Sequence, residues 1–499
     1  MEGRIWLVRH RVAVYSAAMD TTSEHGTPLD TPQDPPLDPP LDYETCRRAR
    51  LSRDPRFDGE FYLAVSTTGI YCRPVCPARA PAEKNVRYYR SAAQAARDGY
   101  RPCLRCRPES APNSPAWNGT STTVSRALRL IEEGALNTGS LPALADRLGI
   151  GERYLRKLFE RELGVSPTAL ALNQRLLFAK KLLAETSLPV TEVAFAAGFG
   201  SVRRFNSAVD THFRLPPSAL RRQSRARKGH SGVTLQLQYR PPYDWEGVRA
   251  FFARHAIAGV EEVSDRSYHR TLLVDGNPGW FSVRPQRGRD ALRLELSLPD
   301  LRYLMPVVAR VRRMFDLDAN PAAIAAALGD DAHLRSPLKR FPGIRAPGYG
   351  SLHESSTRAV IGQQVSTAAA RGILSRLAKA TGGTGFPAAA TLAALDDTHF
   401  PMPTRRRDTL RTLWSLPRDS EGEPALDDIA ALRGVGPWTV AMVAMRGAGD
   451  PDSFPATDLG VIRAWKAWAG DPKTLKDHAV QWRPWRSYAT NLLWRSLEA

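Results

Sequence analysis

Four cysteines are spaced so that they can act together. Cys72 and Cys76 are separated by three residues, Cys103 and Cys106 by two, and 26 residues lie between the pairs. Each short pair can set two sulfurs on one ion, and two such pairs close a tetrahedron, so the expected cofactor is Zn2+ held by four thiolates. The fifth cysteine, Cys46, lies outside both pairs and reads as a buried bystander. Thiols clustered in one module do not resemble a secreted disulfide framework, which again points to metal. Arg73, Arg79, Arg101, Arg105 and Arg107 stand around the ligands. They offset part of the negative charge of a four-thiolate centre, and guanidinium groups also grip phosphate. A metal-held thiolate stays nucleophilic, so beside a methylated DNA phosphate it can take the methyl group. That transfer would remove one negative charge from the centre, ease its repulsion from the DNA backbone and tighten binding.

A second kind of chemistry is suggested near the other end. In "LRGVGPWTVAMVAM", Leu432–Met445, Gly434 and Gly436 allow a tight hairpin between two helical patterns. They also let backbone N–H groups approach a phosphate. Twenty-two residues after Gly436, Asp458 opens the helical pattern of "FPATDLGVIRAW". Alone, the hairpin is a turn and the aspartate an N-cap. Together they form the helix-hairpin-helix pattern of base-excising enzymes. One carboxylate suits that work: a purine methylated at N3 or N7 is already cationic, and needs only to be flipped out while the developing sugar cation is stabilised.

These motifs carry resemblances. "FYLAVSTTGIYCRPVCPAR" and "GYRPCLRC" closely resemble the amino-terminal zinc domain of the Ada family. The resemblance implies that Cys72 accepts a methyl group from a DNA methylphosphotriester, and that Thr68, Arg79 and Arg101 contact the DNA. Because a thioether is not readily reversed, the transfer would be stoichiometric. Residues 231–499 resemble the AlkA family of alkylbase DNA glycosylases, through the hairpin, Asp458, "GQQVS" at 362–366 and "WRPWRSYATNLLW" at 482–494. Asp458 then takes the catalytic position, and Trp438 and Trp494 match aromatic pocket positions. An indole face over a cationic base is worth about 0.5–2 kcal/mol. Trp438 also stands where bifunctional relatives carry a Schiff-base lysine, which implies a monofunctional glycosylase without lyase activity. The sequence departs from the family at the DNA-wedging leucine, here Gln364, and at a pocket tyrosine, here Met442. No cysteine follows Cys106, which excludes an iron–sulfur cluster, and the Pro-Cys-His-Arg acceptor for O6-alkylguanine is absent.

Between the two chemistries lies a helical stretch. "SLPALADRLGIGERYLRKLFERELGVSP" reads as helix, glycine turn, helix, with Ser140 as cap. "VTEVAFAAGFGSVRRFNSAVDTHF" repeats the pattern, and a long helix around "LALNQRLLFAKKLLAET" joins the copies. Paired units on one helix resemble the AraC-type DNA-binding domain, which sets two recognition helices into successive major-groove segments. Their polar faces offer Glu152, Arg153, Arg156 and Lys157, then Ser201, Arg203, Arg204 and Asn206.

The expected class is therefore multidomain α+β. It comprises a disordered Pro- and Asp-rich leader at 1–42, a zinc-bound α/β module at 43–110 and an all-α double helix-turn-helix at 121–225. A small α+β sheet domain at 231–300 and an all-α helix-hairpin-helix domain at 301–499 follow. "SPAWNGTSTT" and the basic "RRQSRARKGH" read as linkers. Lys and Arg outnumber Asp and Glu by 70 to 51, a net charge of +19, which favours a polyanionic partner. Double-stranded DNA, alkylated or operator, is that partner. RNA polymerase is the further one an activator implies, and a monomer is expected. No run is apolar enough to span a bilayer, so the expected location is cytoplasmic and nucleoid-associated. The functional reading is an alkylation response: a methylphosphotriester-switched transcription activator joined to a glycosylase for 3-methyladenine and 7-methylguanine. Its rival is a zinc-dependent regulator whose carboxy-terminal half binds DNA without catalysis.

Overall fold

The computed structural model describes residues 41–111, 122–137, 139–222, 232–419, 422–469 and 471–497. The proposed leader, save its last two positions, and most of both proposed linkers lie outside the described residues.

The first module places its cysteines by strand pairing. A helix, Tyr43–Ser52, is capped by Asp42. Strands β1 (Tyr62–Val65), β2 (Ile70–Cys72), β3 (Val86–Tyr89) and β4 (Arg101–Pro102) form one sheet in the order β3-β1-β2-β4. Strand β2 pairs parallel with β4, Ile70 opposite Arg101 and Tyr71 opposite Pro102. Cys72 therefore ends one strand where Cys103 follows its neighbour, and the Cys103 N–H donates to Tyr71 O at 2.9 Å. Cys46 is fully buried in the apolar core of this module, and burial pushes its thiol up to about 12.

The helical middle follows the expected pattern. Helices Leu141–Arg147 and Glu152–Leu163 flank a turn through Gly149, and Val190–Ala196 and Val202–Phe213 flank one through Gly198. Ser140 and Ser201 cap by accepting Ala143 and Arg204 N–H groups, as such residues do. Helix Pro167–Glu185 joins the two units. The first unit has its own core, with Leu144, Leu155, Leu158 and Phe159. The second does not: Phe205, Val209 and Phe213 share one core with Leu235, Phe252 and Leu294 of the next sheet. Packing thus continues across the boundary that the sequence composition suggests near residue 230.

That sheet is antiparallel throughout, in the order β5-β9-β8-β7-β6. Its strands are β5 (Val233–Gln238), β6 (Glu261–Val263), β7 (Tyr268–Val274), β8 (Asn277–Pro285) and β9 (Ala291–Ser297), with helix Trp245–His255 after β5. Inward Val233, Leu235 and Leu237 alternate with half-buried residues, as one buried face requires. The short β6 is an element that its three-residue stretch does not announce. Helix Leu304–Met314 packs into the core shared with the sheet, and most of the helices after it divide between two further cores. One holds Leu377, Leu413 and Val443, the other Val461, Trp465 and Leu492. Asp458 opens a helix of the second core and faces a tryptophan from a helix of the first.

Candidate functional site

Asp458 opens helix Leu459–Ala469 and caps it: Oδ1 accepts the N–H of Gly460 at 2.9 Å and of Val461 at 3.0 Å. The same carboxylate also takes both tryptophans named above. Trp494 Nε1–H donates to Oδ1 at 2.9 Å, and Trp438 Nε1–H donates to Oδ2 at 3.0 Å. The N-cap bonds and the contacts to both tryptophans coexist in one half-buried side chain. Four donors with no cation among them fix its orientation. Glycine at 460 leaves room for the site, because a Cβ there would lie 3.0 Å from the Trp494 ring and 3.1 Å from Asp458 Oδ1 and would press on both.

The hairpin positions Trp438. Gly434 takes φ +92°, where a Cβ would press on Thr409 Oγ1 at 2.5 Å, and Gly436 caps helix Pro437–Val443. Gln363 ties a second loop to this hairpin, donating through Nε2 to Gly434 O at 2.9 Å and to Thr439 Oγ1 at 3.0 Å. Beside it, Gln364 is exposed in the left-handed region at φ +56°. Met442 is half-buried and packs against the core of Val443. The helix then widens into a π-helical turn, Ala444–Ala448, which turns the Arg446 side chain inward.

Sequence reasoning missed Arg446, Phe251 and Gln363. Arg446 was visible only as a charge inside the apolar run Val440–Ala448. Phe251 stands about two hundred residues earlier, in a helix of the sheet domain, and no local signal links it to the site. The Arg446 guanidinium lies 4.4 Å from the Phe251 ring centre and 5.0 Å from that of Trp494. Both indole N–H groups are thus engaged, and one face of Trp494 is covered.

In the first module the Cys72, Cys76, Cys103 and Cys106 sulfurs all lie within 4.8 Å of one another. Backbone N–H groups of Arg73 and Arg105 each point at a sulfur, Cys106 and Cys103, at 3.4 Å. Four converging sulfurs supported by N–H donors fit a tetrahedral metal centre, and the donor set is that of zinc. Cys72 is 8% exposed, whereas Cys76 is the more accessible of the set. The surrounding arginines divide. Arg73 is buried against Asp58 and donates to Cys106 O at 3.0 Å, and Arg107 pairs with Glu109 and Glu185. Those two hold the module together. Thr68, Arg79 and Arg105 are exposed and Arg101 is half-buried. Lys180, from the long helix, donates to Cys103 O at 3.0 Å and pairs with Glu109 at 2.6 Å.

Arg153, Arg156, Arg203, Arg204 and Asn206 are all exposed on the second helix of their units. Arg156 is engaged with Glu152 one turn earlier, at 2.6 Å.

This combination defines a class: a metal-binding domain of Ada, a helix-turn-helix domain and an AlkA N-terminal domain in one chain. The corresponding family models match residues 45–109, 144–223 and 234–351. The chain is 43% identical to a probable bifunctional transcriptional activator/DNA repair enzyme AlkA of Mycobacterium tuberculosis, over 91% of this chain and 97% of that one. It belongs to that family of Ada–AlkA fusions. The parts have separate relatives in Escherichia coli. DNA-3-methyladenine glycosylase 2 is 31% identical, covering 52% of this chain and 95% of its own. The bifunctional transcriptional activator/DNA repair enzyme Ada is 34% identical, covering 38% and 49%.

Proposed function

We propose that this protein answers DNA alkylation in two ways, excising alkylated bases through Asp458 and sensing methylated DNA phosphates through Cys72. The observation that carries the first activity is the Asp458 carboxylate held by Trp438, Trp494 and two helix N–H groups at the seam of two cores. A carboxylate so held by donors is a well-oriented negative charge. It stabilises the sugar cation as the C1′–N bond breaks, and the electron pair leaves with a base that was cationic and departs neutral. Water adds at C1′, leaving an abasic site and a proton. Gln364 fills the gap left by the flipped nucleotide, Met442 and the free indole faces bound the base, and the Gly434–Gly436 hairpin approaches the backbone. With tryptophan at 438 and no lysine there, the reaction is monofunctional, on 3-methyladenine and 7-methylguanine.

Cys72, Cys76, Cys103 and Cys106 would hold zinc. Bound zinc keeps the four sulfurs as thiolates and so nucleophilic near neutral pH. The Cys72 sulfur then displaces the phosphate oxygen at the methyl carbon, an S–C bond replacing the O–C bond and the phosphodiester leaving as an anion. Thr68, Arg79 and Arg101 position the backbone. Arg153, Arg156, Arg203, Arg204 and Asn206 read operator DNA, and RNA polymerase is the partner of the activated state. The protein acts as a monomer on double-stranded DNA in the cytoplasm, at the nucleoid; among the described residues no helix is long and apolar enough to cross a membrane.

Release of free base from methylated duplex DNA tests the glycosylase directly. No release by the full chain, with DNA binding intact, would leave the rival regulator.

A further inference from the structure

Arg446 carries a buried charge that the reaction above does not use. It is 5% exposed. Nη2 donates to Asn491 Oδ1 at 3.1 Å, Nη1 donates to Pro347 O, and Nε is buried without an acceptor among the described residues. Its partners are neutral: among the described residues no carboxylate comes within ion-pair distance of it. A guanidinium buried on these terms is costly, and an apolar side chain of similar volume would fill the space at less expense. Burial lowers it to about 10, and the charges opposing that shift are Tyr349 first and then Asp458. The cation and the site carboxylate therefore attract each other, with Trp494 between them.

We propose that Arg446 is a positioning residue for Asp458 and acts through Trp494. Three observations combine. The guanidinium stacks on the indole face at 5.0 Å, the same indole donates Nε1–H to Asp458 Oδ1 at 2.9 Å, and the Phe251 ring also packs on the guanidinium at 4.4 Å. A cation on the ring face fixes the ring plane and draws electron density from it, which makes the N–H a stronger donor. The carboxylate is thereby held at one angle to the incoming sugar. The π-helical turn Ala444–Ala448 supplies the geometry, since its extra residue rotates Arg446 toward Trp494. Arg446 O anchors the turn from behind, accepting Tyr349 N–H at 2.6 Å.

This inference rests on Asp458 acting in base excision, and the test separates the two. In the full chain, Arg446→Met keeps an unbranched side chain between the rings and removes the charge. Single-turnover excision of 7-methylguanine should fall about tenfold, the loss of one transition-state contact of ordinary strength, with DNA affinity unchanged. In a Trp494→Phe background, which keeps a ring and deletes the N–H, the same change should cost less than about twofold, because the two act as one unit. A normal rate for Arg446→Met, or an equal loss in both backgrounds, overturns the proposal. If Arg446→Met does not fold, Arg446→Lys retains the cation and should excise within about threefold of the wild type. A lysine variant as slow as Trp494→Phe overturns the idea. A readout without activity completes the set: the Trp494 indole proton, assigned by its absence in Trp494→Phe, should move upfield and exchange faster with solvent in Arg446→Met. If the wild type releases no base, the glycosylase reading falls and this resonance decides for or against Arg446 alone.

Discussion

Trp438 Nε1 and Asp458 Oδ2 stand 3.0 Å apart across twenty residues of chain. The bond closes the hairpin helix onto the helix that follows it, so the hairpin and the Asp458 carboxylate are held as one piece.

Asp458→Asn keeps the shape and the helix cap but loses the charge. Its amide can offer an oxygen to Trp494 and the helix N–H groups only by turning its NH2 toward the Trp438 N–H, so one bond is lost as well. Excision should drop on the order of 100-fold or more, with stability reduced by about 1 kcal/mol or less. Single-turnover base release beside thermal melting checks both numbers.

Purified protein should carry one zinc per chain by metal analysis. Replacing Cys76, Cys103 or Cys106 by alanine should unfold the first module, because metal binding of this kind supplies about 10–16 kcal/mol of apparent folding energy. Chelation of the wild type should likewise unfold the module and release five reactive thiols, whereas in the metal-bound protein Cys46, buried and held up to about 12, should not react.

After incubation with methylphosphotriester DNA, one methyl group should appear on Cys72 and none on Cys76. The two thiols make a real contest, since Cys76 is the more exposed. If access alone selected the acceptor, peptide mass spectrometry would find the label on Cys76. Methylated protein should also bind operator DNA more tightly than unmethylated protein, and less so as salt rises.

Gln363→Ala removes both ties between its loop and the hairpin. Each such bond is worth about 1 kcal/mol net, so affinity for lesion-bearing duplex should weaken about fivefold if one bond's worth is expressed in binding and at most about thirtyfold if both are. Once DNA is bound at saturation, the excision rate should change less than the affinity. Titration followed by single-turnover kinetics distinguishes the two effects.

His353 is buried, its Nε2–H donating to Pro387 O at 2.9 Å, and burial lowers it from 6.5 to about 4. The folded chain holds it neutral while the unfolded chain protonates it below about 6.5. Its contribution is therefore complete above that pH and is lost as pH falls toward 4, by up to about 1.4 kcal/mol per pH unit. Glu132 and Asp316, raised to about 7 by burial, work in the opposite direction over this range. The clean measurement is the difference in stability between wild type and His353→Gln, which should shift against the wild type as pH drops from 6.5 to 4.

How much of this was legible depends on distance along the chain. The four-cysteine cluster was readable because each pair sits within a few residues, and the helix-turn-helix copies because apolar periodicity and serine caps are local. Asp458 was readable as a helix cap, but not as a cap whose carboxylate also accepts two indole N–H groups. That needed Trp438 and Trp494 in space. Arg446 and Phe251 were hidden for the same reason: a cation between two rings from distant helices leaves no periodic mark. Nor did spacing show that Phe205 and Phe213 share a core with strands β5 and β9, so the chain looked more divisible than it is.

Glu185 shows what that indivisibility entails. It accepts Arg107 and Lys181 on one oxygen, both at 3.0 Å, and the Gln236 N–H on the other at 2.9 Å, while Lys181 donates to Gln236 O at 2.6 Å. Strand β5 is the open edge of its sheet, and at Gln236 its outward donor and acceptor are both spent on side chains of the long helix. A glycosylase half produced without that helix would present this edge bare, as a template for pairing between copies. In the intact chain, the long helix of the helix-turn-helix region occupies this edge at Gln236.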